Sequence, residues 1–215
     1  MRTANFDSVA RVYRWLEYAA FGRLLERARF THLARLADRR EILLLGDGDG
    51  RALQRILTAA PSSRIVSVDA SKAMLALAAR RVPRADQHRV TFVHADARTL
   101  DLPPGAHDAV VTQFFLDCFT ASELTSLVER IAHATDRGSL WLYTDFALPE
   151  RGIQRVVARV IIAALYWFFR WRTGLSVRNL PPSEQAIGNA GFRPIDEATF
   201  AAGLIRSVVF QKVAP

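Results

Sequence analysis

The sequence predicts a doubly wound α/β domain: a mostly parallel, seven-stranded sheet with N-terminal helices and a helical insert before a C-terminal antiparallel hairpin. Three observations predict it. Short apolar runs rich in β-branched residues alternate with helical patterns over about a hundred residues, as parallel strands with crossover helices do. The first run stops at a glycine-rich turn, Gly46-Asp47-Gly48-Asp49-Gly50, that opens a helix. The chain then finishes on two more strand-like runs, an ending that the two mononucleotide-binding halves of a dinucleotide dehydrogenase do not require.

The first forty residues read as helical. Phe6, Val9, Ala10, Tyr13, Leu16 and Ala20 recur near helical spacing, Asp7 or Ser8 can cap, and a second helical stretch covers about 21–36. EILLL at 41–45 is a short apolar run stopped by glycine, as a buried parallel strand should be. A helix over 51–60 ends at Pro61, and RIVSVD (64–69) is a second strand that ends on an acid. A helix over 71–81 is closed by Pro83, and VTFV (90–93) leads into His94-Ala95-Asp96. After the turn-like PPGAH comes DAVVTQ (108–113); Thr120 and Glu123 form a capping-box pattern for a helix to about residue 134, and SLWLYT (139–144) is the fifth strand. A strongly apolar helix follows from Ile153 to Trp171, then Thr173-Gly174, Pro181-Pro182 and a short helix over 183–190 that stops at Gly191. Strands near 193–199 and 204–213 end the chain. We therefore expect one domain over 1–215, divided into a helical cap (1–40), a core (41–145), an apolar lid (146–191) and a hairpin (192–215).

The 215 residues are 50% hydrophobic and 23% charged, which is globular and excludes disorder. The net charge is +8, and Lys72 and Lys212 are the only lysines. An arginine-rich composition gives this with no functional meaning, whereas affinity for an anionic partner is the alternative. Cys118 is the sole cysteine, and His32, His88, His94, His107 and His133 show neither HxxxH nor HExxH spacing, so no metal site is expected. The N-terminus lacks an apolar signal region, and a cytoplasmic protein is expected. No basic-aromatic motif points to nucleic acid.

A glycine turn between a buried strand and a helix lets backbone approach a ligand where a Cβ would collide. Gly46, Gly48 and Gly50 give GxGxG, with Arg51 at the third glycine position of the dinucleotide fingerprint. Asp69 ends the second strand at about the interval expected of a carboxylate that accepts from ribose hydroxyls. Asp96 follows the third strand, so all three features fall at carboxyl ends of strands. Taken singly they have ordinary readings: a tight connection, a cap before Ser71, a loop turn.

Together these residues resemble the class I S-adenosylmethionine-dependent methyltransferases, a Rossmann-like family. Within it they are most similar to the methyltransferases of ubiquinone and menaquinone biosynthesis and their uncharacterised relatives. LLLGDGDGR resembles the glycine motif, VDASKAML the ribose-binding motif and VTFVHADARTLDLP the adenine-binding motif. HDAVVTQFFLDCF and SLWLYTDF are similar to the fourth and fifth strands, and FDSVARVYRWLE to the helix that closes over the cofactor. The resemblance implies S-adenosylmethionine as cofactor. It would be held by Gly46, Asp47, Gly48, Asp49 and Gly50, with Asp69, Ala70 and Met74 at the ribose. Asp96 and Ala97 would lie at the adenine, Tyr13 near the methionine end, and Gln113 against the cofactor. One departure is clear: Leu44 stands where the family carries an acid that helps hold the cofactor's ammonium group. Asp47 and Asp49 are the acids near enough in sequence to replace it.

Methyl transfer from a sulfonium asks the protein mainly for orientation and desolvation, and for a base only when the acceptor must lose a proton. Gln113, Asp117 and Asp145 are the catalytic candidates, Gln113 to orient an acceptor or cofactor and the two acids as bases or anchors; His94 and Tyr143 share the edge. Asp117 also reads simply as a polar loop residue, Phe114 and Phe115 as core, and Cys118 as a small buried hydrophobe. The fourth-strand loop lacks [DN]PP[YF], which disfavours an exocyclic amine acceptor.

Ile153 to Trp171 contains ten uninterrupted apolar residues, too few to span a bilayer, which takes roughly 20. Arg151, Arg155 and Arg159 recur at four-residue spacing, Arg170 and Arg172 flank the far end, and no acid lies between Arg151 and Arg172. The segment reads as a lid over an apolar acceptor, as an interfacial helix giving peripheral membrane contact, or as half of a homodimer interface. The lid and membrane readings favour a small apolar or lipid-like acceptor. Competing functions are an NAD(P)-dependent oxidoreductase and a non-catalytic membrane or protein-interaction module on the same fold.

Overall fold

A computed structural model describes residues 23–173, 177 and 179–213, and side chains are described for these except 168–173. The expected first helix, with Tyr13, lies outside the described residues. The second expected helix is split into α1 (Leu24–Phe30) and a 3-10 turn (Leu33–Leu36). At the break Thr31 Oγ1 donates to Arg27 O at 2.6 Å, a local bond that competes with continuation of the helix.

The core then alternates as expected: β1 (Glu41–Leu45), α2 (Arg51–Ala59), β2 (Arg64–Asp69), α3 (Lys72–Arg81), β3 (Val90–His94), β4 (His107–Gln113), α4 (Ala121–His133) and β5 (Thr135–Phe146). A long helix α5 (Ile153–Thr173), a short α6 (Ser183–Asn189), β6 (Phe192–Phe200) and β7 (Ile205–Lys212) complete it. The seven strands are ordered β3-β2-β1-β4-β5-β7-β6. The first five are parallel, and β7 is inserted antiparallel between β5 and β6. That insertion separates the sheet from the 3-2-1-4-5-6 order of dinucleotide dehydrogenases.

Alternation along β1 explains the layers. Leu43 and Leu45 face a core shared with Leu124, Leu127, Val128 and Ile131 of α4. Ile42 and Leu44 face the opposite core, against Leu53 and Ile56 of α2. The caps follow the sequence. Thr120 and Glu123 form the expected capping box, and the buried Lys212 ammonium reaches the carbonyls of Ala132 and Thr135 at the end of α4. Arg89, beyond α3, donates to the carbonyls of Leu57, Ala60 and Ser63 and so closes α2.

β5 is longer than its sequence signal, because Thr135 pairs with His107 across a bulge before the ladder resumes at Leu140. The sheet order reverses between β1 and β4. The crevice outside that point is bounded by the glycine turn on one side and the loop after Gln113 on the other.

α5 lies along the body, with Ala158, Ile162 and Tyr166 buried in a cluster with Leu25, Ala28, Leu204 and Ile205. Its outward side differs from the basic face suggested by the arginine spacing. Arg155 folds back onto the carbonyls of Pro149 and Glu150, and the outward side carries valines and Trp167. Among the described residues no helix is long and apolar enough to cross a membrane.

Candidate active site

The turn after β1 is held open by three positive φ angles, at Gly46 (66°), Gly48 (65°) and Gly50 (86°). Gly50 stands at the N-cap of α2 and has no side chain to satisfy the first amides. Asp47 does so from upstream, accepting from Ala52 N (3.1 Å) and Leu53 N (2.8 Å). Burial pushes its carboxyl up to about 6, against those two bonds and the nearby charge of Arg29. Asp49 is held between α2 and α3, accepting from Arg51 Nε (3.0 Å) and an Arg81 guanidinium nitrogen (2.7 Å). Leu44 is fully packed beneath α2. The carboxylates of Asp47 and Asp49 are therefore both engaged by the protein itself.

Gly48 is different. A Cβ built on it would meet only Met74 Sδ, at 3.9 Å, so the space above this glycine is open and flanked by Met74. Its N–H points to Asp69 Oδ2 at 3.3 Å. Asp69 Oδ1 accepts from Ser71 N (2.9 Å), while Ser71, the actual N-cap of α3, accepts from Met74 N. His94 at the end of β3 bonds the carbonyl of Ala70 at 3.0 Å. Asp96 Oδ1 accepts from the Arg98 backbone (2.9 Å) and its Nε (3.1 Å), which leaves Oδ2 without a hydrogen-bond partner among the described residues. Ala97 beside it is buried, its carbonyl taken by Arg130.

On the other side of the crevice, Gln113 ends β4 and is buried. Its Nε2 donates to Arg29 O at 2.7 Å, and its Oε1 is buried with no partner among the described residues. Phe114 follows at φ 53°, a left-handed turn for a non-glycine residue. That turn throws the Phe115 ring over Gly46, into the position a Cβ there would take, with Phe119 edge-on at 5.0 Å. The Arg29 guanidinium lies 4.9 Å from the Phe114 ring.

Behind the loop sit the two remaining acids. Asp145 is buried and accepts from the amides of Phe146 (2.9 Å), Asp117 (3.1 Å) and Leu116. It clamps the loop onto β5. Asp117 is also buried, with Cys118 Sγ donating to it at 3.4 Å and its carbonyl accepting from Tyr166 of α5 at 3.3 Å. Burial pushes the Asp117 carboxyl up to about 6; Asp145 is driven upward by burial and by the Asp117 charge. The same surroundings raise the Cys118 thiol and the Tyr143 phenol, so neither is an anion near neutrality.

The structure thus gathers Gly46, Asp47, Gly48, Asp49, Gly50, Asp69, Ala70, Met74, Asp96, Ala97 and Gln113 along one sheet edge; Asp117 and Asp145 lie just inside it. Tyr13 lies outside the described residues. Sequence reading overlooked Arg29 and Tyr166 and took Phe115 simply as core. Phe115 had one usable signal, its place as the second of two aromatics after the fourth strand. The other two contacts cross more than forty residues of sequence and leave no local pattern.

Comparison with known proteins agrees with this arrangement. Residues 42–138 match a methyltransferase domain. Over 134 residues the chain is 31% identical to a demethylmenaquinone methyltransferase of Thermus thermophilus, a match that covers 62% of this chain and 60% of that protein. The chain therefore spans about 60% of the length of this curated relative. The fold is shared with a mitomycin 7-O-methyltransferase (TM-score 0.70, 17% identity, 97% of this chain and 61% of that one). It is also shared with the N-methyltransferase NodS of Bradyrhizobium japonicum bound to S-adenosyl-L-homocysteine (TM-score 0.63, 14% identity, 87% of each chain). The domain match over residues 42–138, the sequence relative and the shared fold make this chain similar to S-adenosylmethionine-dependent methyltransferases.

Proposed function

We propose that the protein is an S-adenosylmethionine-dependent methyltransferase acting on a small apolar, lipid-like acceptor. The observation that carries this reading is the open space over Gly48, bounded by Asp69 and Met74, with a partnerless Gln113 Oε1 across the crevice. A nucleoside with a charged amino-acid tail matches such a lining. Asp69, at the carboxyl end of β2, is the acceptor for the ribose hydroxyls, and Ala70 and Met74 flank the sugar. Asp96 Oδ2 has room for the adenine amino group beside Ala97. Gln113 Oε1 accepts from the ammonium group that Leu44 cannot hold, while Asp47 and Asp49 keep the turn in shape. When bound, the cofactor supplies an electrophilic methyl group on a sulfonium.

The chain's own residues then orient and desolvate. Phe114, Phe115, Phe119 and Tyr166 make the acceptor side apolar, and the 31%-identical relative is named for a demethylmenaquinone. Asp117 takes the acceptor's proton, its raised affinity matching a phenol or enol donor better than an ordinary carboxylate would. Asp145 fixes the loop that carries it. α5 serves as the lid, and an acceptor of this class brings the protein to membranes.

Equilibrium dialysis with labelled S-adenosylmethionine tests the cofactor assignment. We expect micromolar-range binding, weakened at least several-fold by Asp69→Ala and by Asp96→Ala. Tight NADH binding without S-adenosylmethionine binding would overturn it. Assay of a hydroxyquinol against a short polar phenol then tests the acceptor class, with turnover of the polar compound alone as the contrary result.

A further inference from the structure

We infer that the outward face of α5 docks the protein onto an anionic lipid surface. A helix packed on a globular body normally turns polar residues outward. Here Ile153 (75% exposed), Val156 (58%), Val157 (50%), Val160 (64%) and Trp167 (70%) share one outward stripe, opposite the buried Ala158, Ile162 and Tyr166. Ala163 and Ala164 are exposed within it. Such a continuous apolar stripe marks an interaction surface.

Charge identifies the occupant. No acid occurs from Arg151 through Thr173, while Arg151, Arg155, Arg159, Arg170 and Arg172 all fall in that stretch of a chain with net charge +8. Arg159 is exposed on the flank of the stripe. A second copy would set arginine-bearing helices against each other with no carboxylate from either helix between them. An anionic bilayer instead offers hydrocarbon to the valines, an interfacial layer to the Trp167 indole and phosphate to Arg159. The buried side pins the helix flat along the body, so it lies on the membrane and does not enter end-on. This surface is separate from the crevice lining, and its test needs no catalysis.

Full-length protein is pelleted with vesicles of phosphatidylcholine alone or mixed with phosphatidylglycerol. We expect pelleting with the mixed vesicles, weakened by added salt, and little with phosphatidylcholine alone. Val156→Glu/Val160→Glu should reduce the partition coefficient by roughly tenfold or more. Arg159→Glu should reduce it less, and Ile195→Glu, at an exposed apolar residue on β6, should leave it unchanged. Circular dichroism melts are expected to match wild type, since the altered side chains face outward. Undiminished pelleting of the double variant would overturn the inference. So would a wild-type dimer in light scattering that the double variant dissolves while neither protein pellets, because the stripe would then belong to a second copy.

Discussion

Gln113 gives one amide hydrogen to the carbonyl of Arg29 at 2.7 Å, and its oxygen is buried with no partner among the described residues. Leaving a buried acceptor unsatisfied costs on the order of 1–3 kcal/mol, which is a reason to look for the donor that completes it. In the proposed complex that donor is the cofactor's ammonium group. Gln113→Leu should raise the dissociation constant for S-adenosylhomocysteine by roughly five- to tenfold. An analogue lacking the α-amino group should bind wild type and variant equally. A penalty of the same size for both ligands would assign Gln113 a purely structural role.

The glycines of the turn separate ligand space from packing. Gly48→Ala puts a methyl group into the open space, so the fold should lose only the left-handed backbone cost of about 1–2 kcal/mol while cofactor affinity falls at least tenfold, roughly. Gly50→Ala would place its Cβ 2.5 Å from Ala78 Cα, backbone that cannot swing away. Its loss should appear chiefly as instability, an additional 1–3 kcal/mol or so in a denaturant titration.

Asp47 links the turn to pH. Its carboxyl is pushed from 3.8 up to about 6, so between those values the native state binds more protons than the unfolded chain. The contribution of this group is greatest below about pH 4 and is lost as pH rises through about 6. Asp47→Asn removes the titration and keeps one capping acceptor. Stability curves measured from pH 4 to pH 7 should therefore fall less steeply with rising pH in the variant; parallel curves would show that Asp47 does not titrate there.

Asp117 and Asp145 titrate as a buried pair. If Asp117 accepts the acceptor's proton, kcat/KM should rise with pH and level off near 6, and Asp117→Asn should abolish that limb with cofactor affinity unchanged. Asp145→Ala strands the amides of Leu116, Asp117 and Phe146 and should cost on the order of 3 kcal/mol, read from chemical denaturation.

Much of this was legible in the residues themselves. The five parallel strands announced themselves through short apolar runs that stop at Gly46, Asp69, His94, Gln113 and Asp145, because a strand buried in the sheet has little choice of composition. The placement of the glycine turn, Asp69 and Asp96 at the carboxyl ends of strands was legible because each closes its own apolar run. What was not legible depends on distance along the chain. Nothing near Arg29 says that its carbonyl will meet Gln113, and the spacing of Arg151, Arg155 and Arg159 reads as a basic face until Arg155 turns back onto Pro149 and Glu150. Asp145 reads as an acid at a strand end, yet three backbone amides bury it as a clamp. Asp47 and Asp49 look like substitutes for the acid missing at Leu44, whereas a helix start and two arginines occupy them.

The central claim is that S-adenosylmethionine chemistry is held over Gly48. Titration calorimetry of S-adenosylhomocysteine against wild type and Gly48→Ala, both first shown to be folded, tests it most directly. We expect saturable micromolar-range binding to wild type and at least a tenfold loss, roughly, in the variant. Equal affinity for the two proteins, or no binding to folded wild type, would contradict the account.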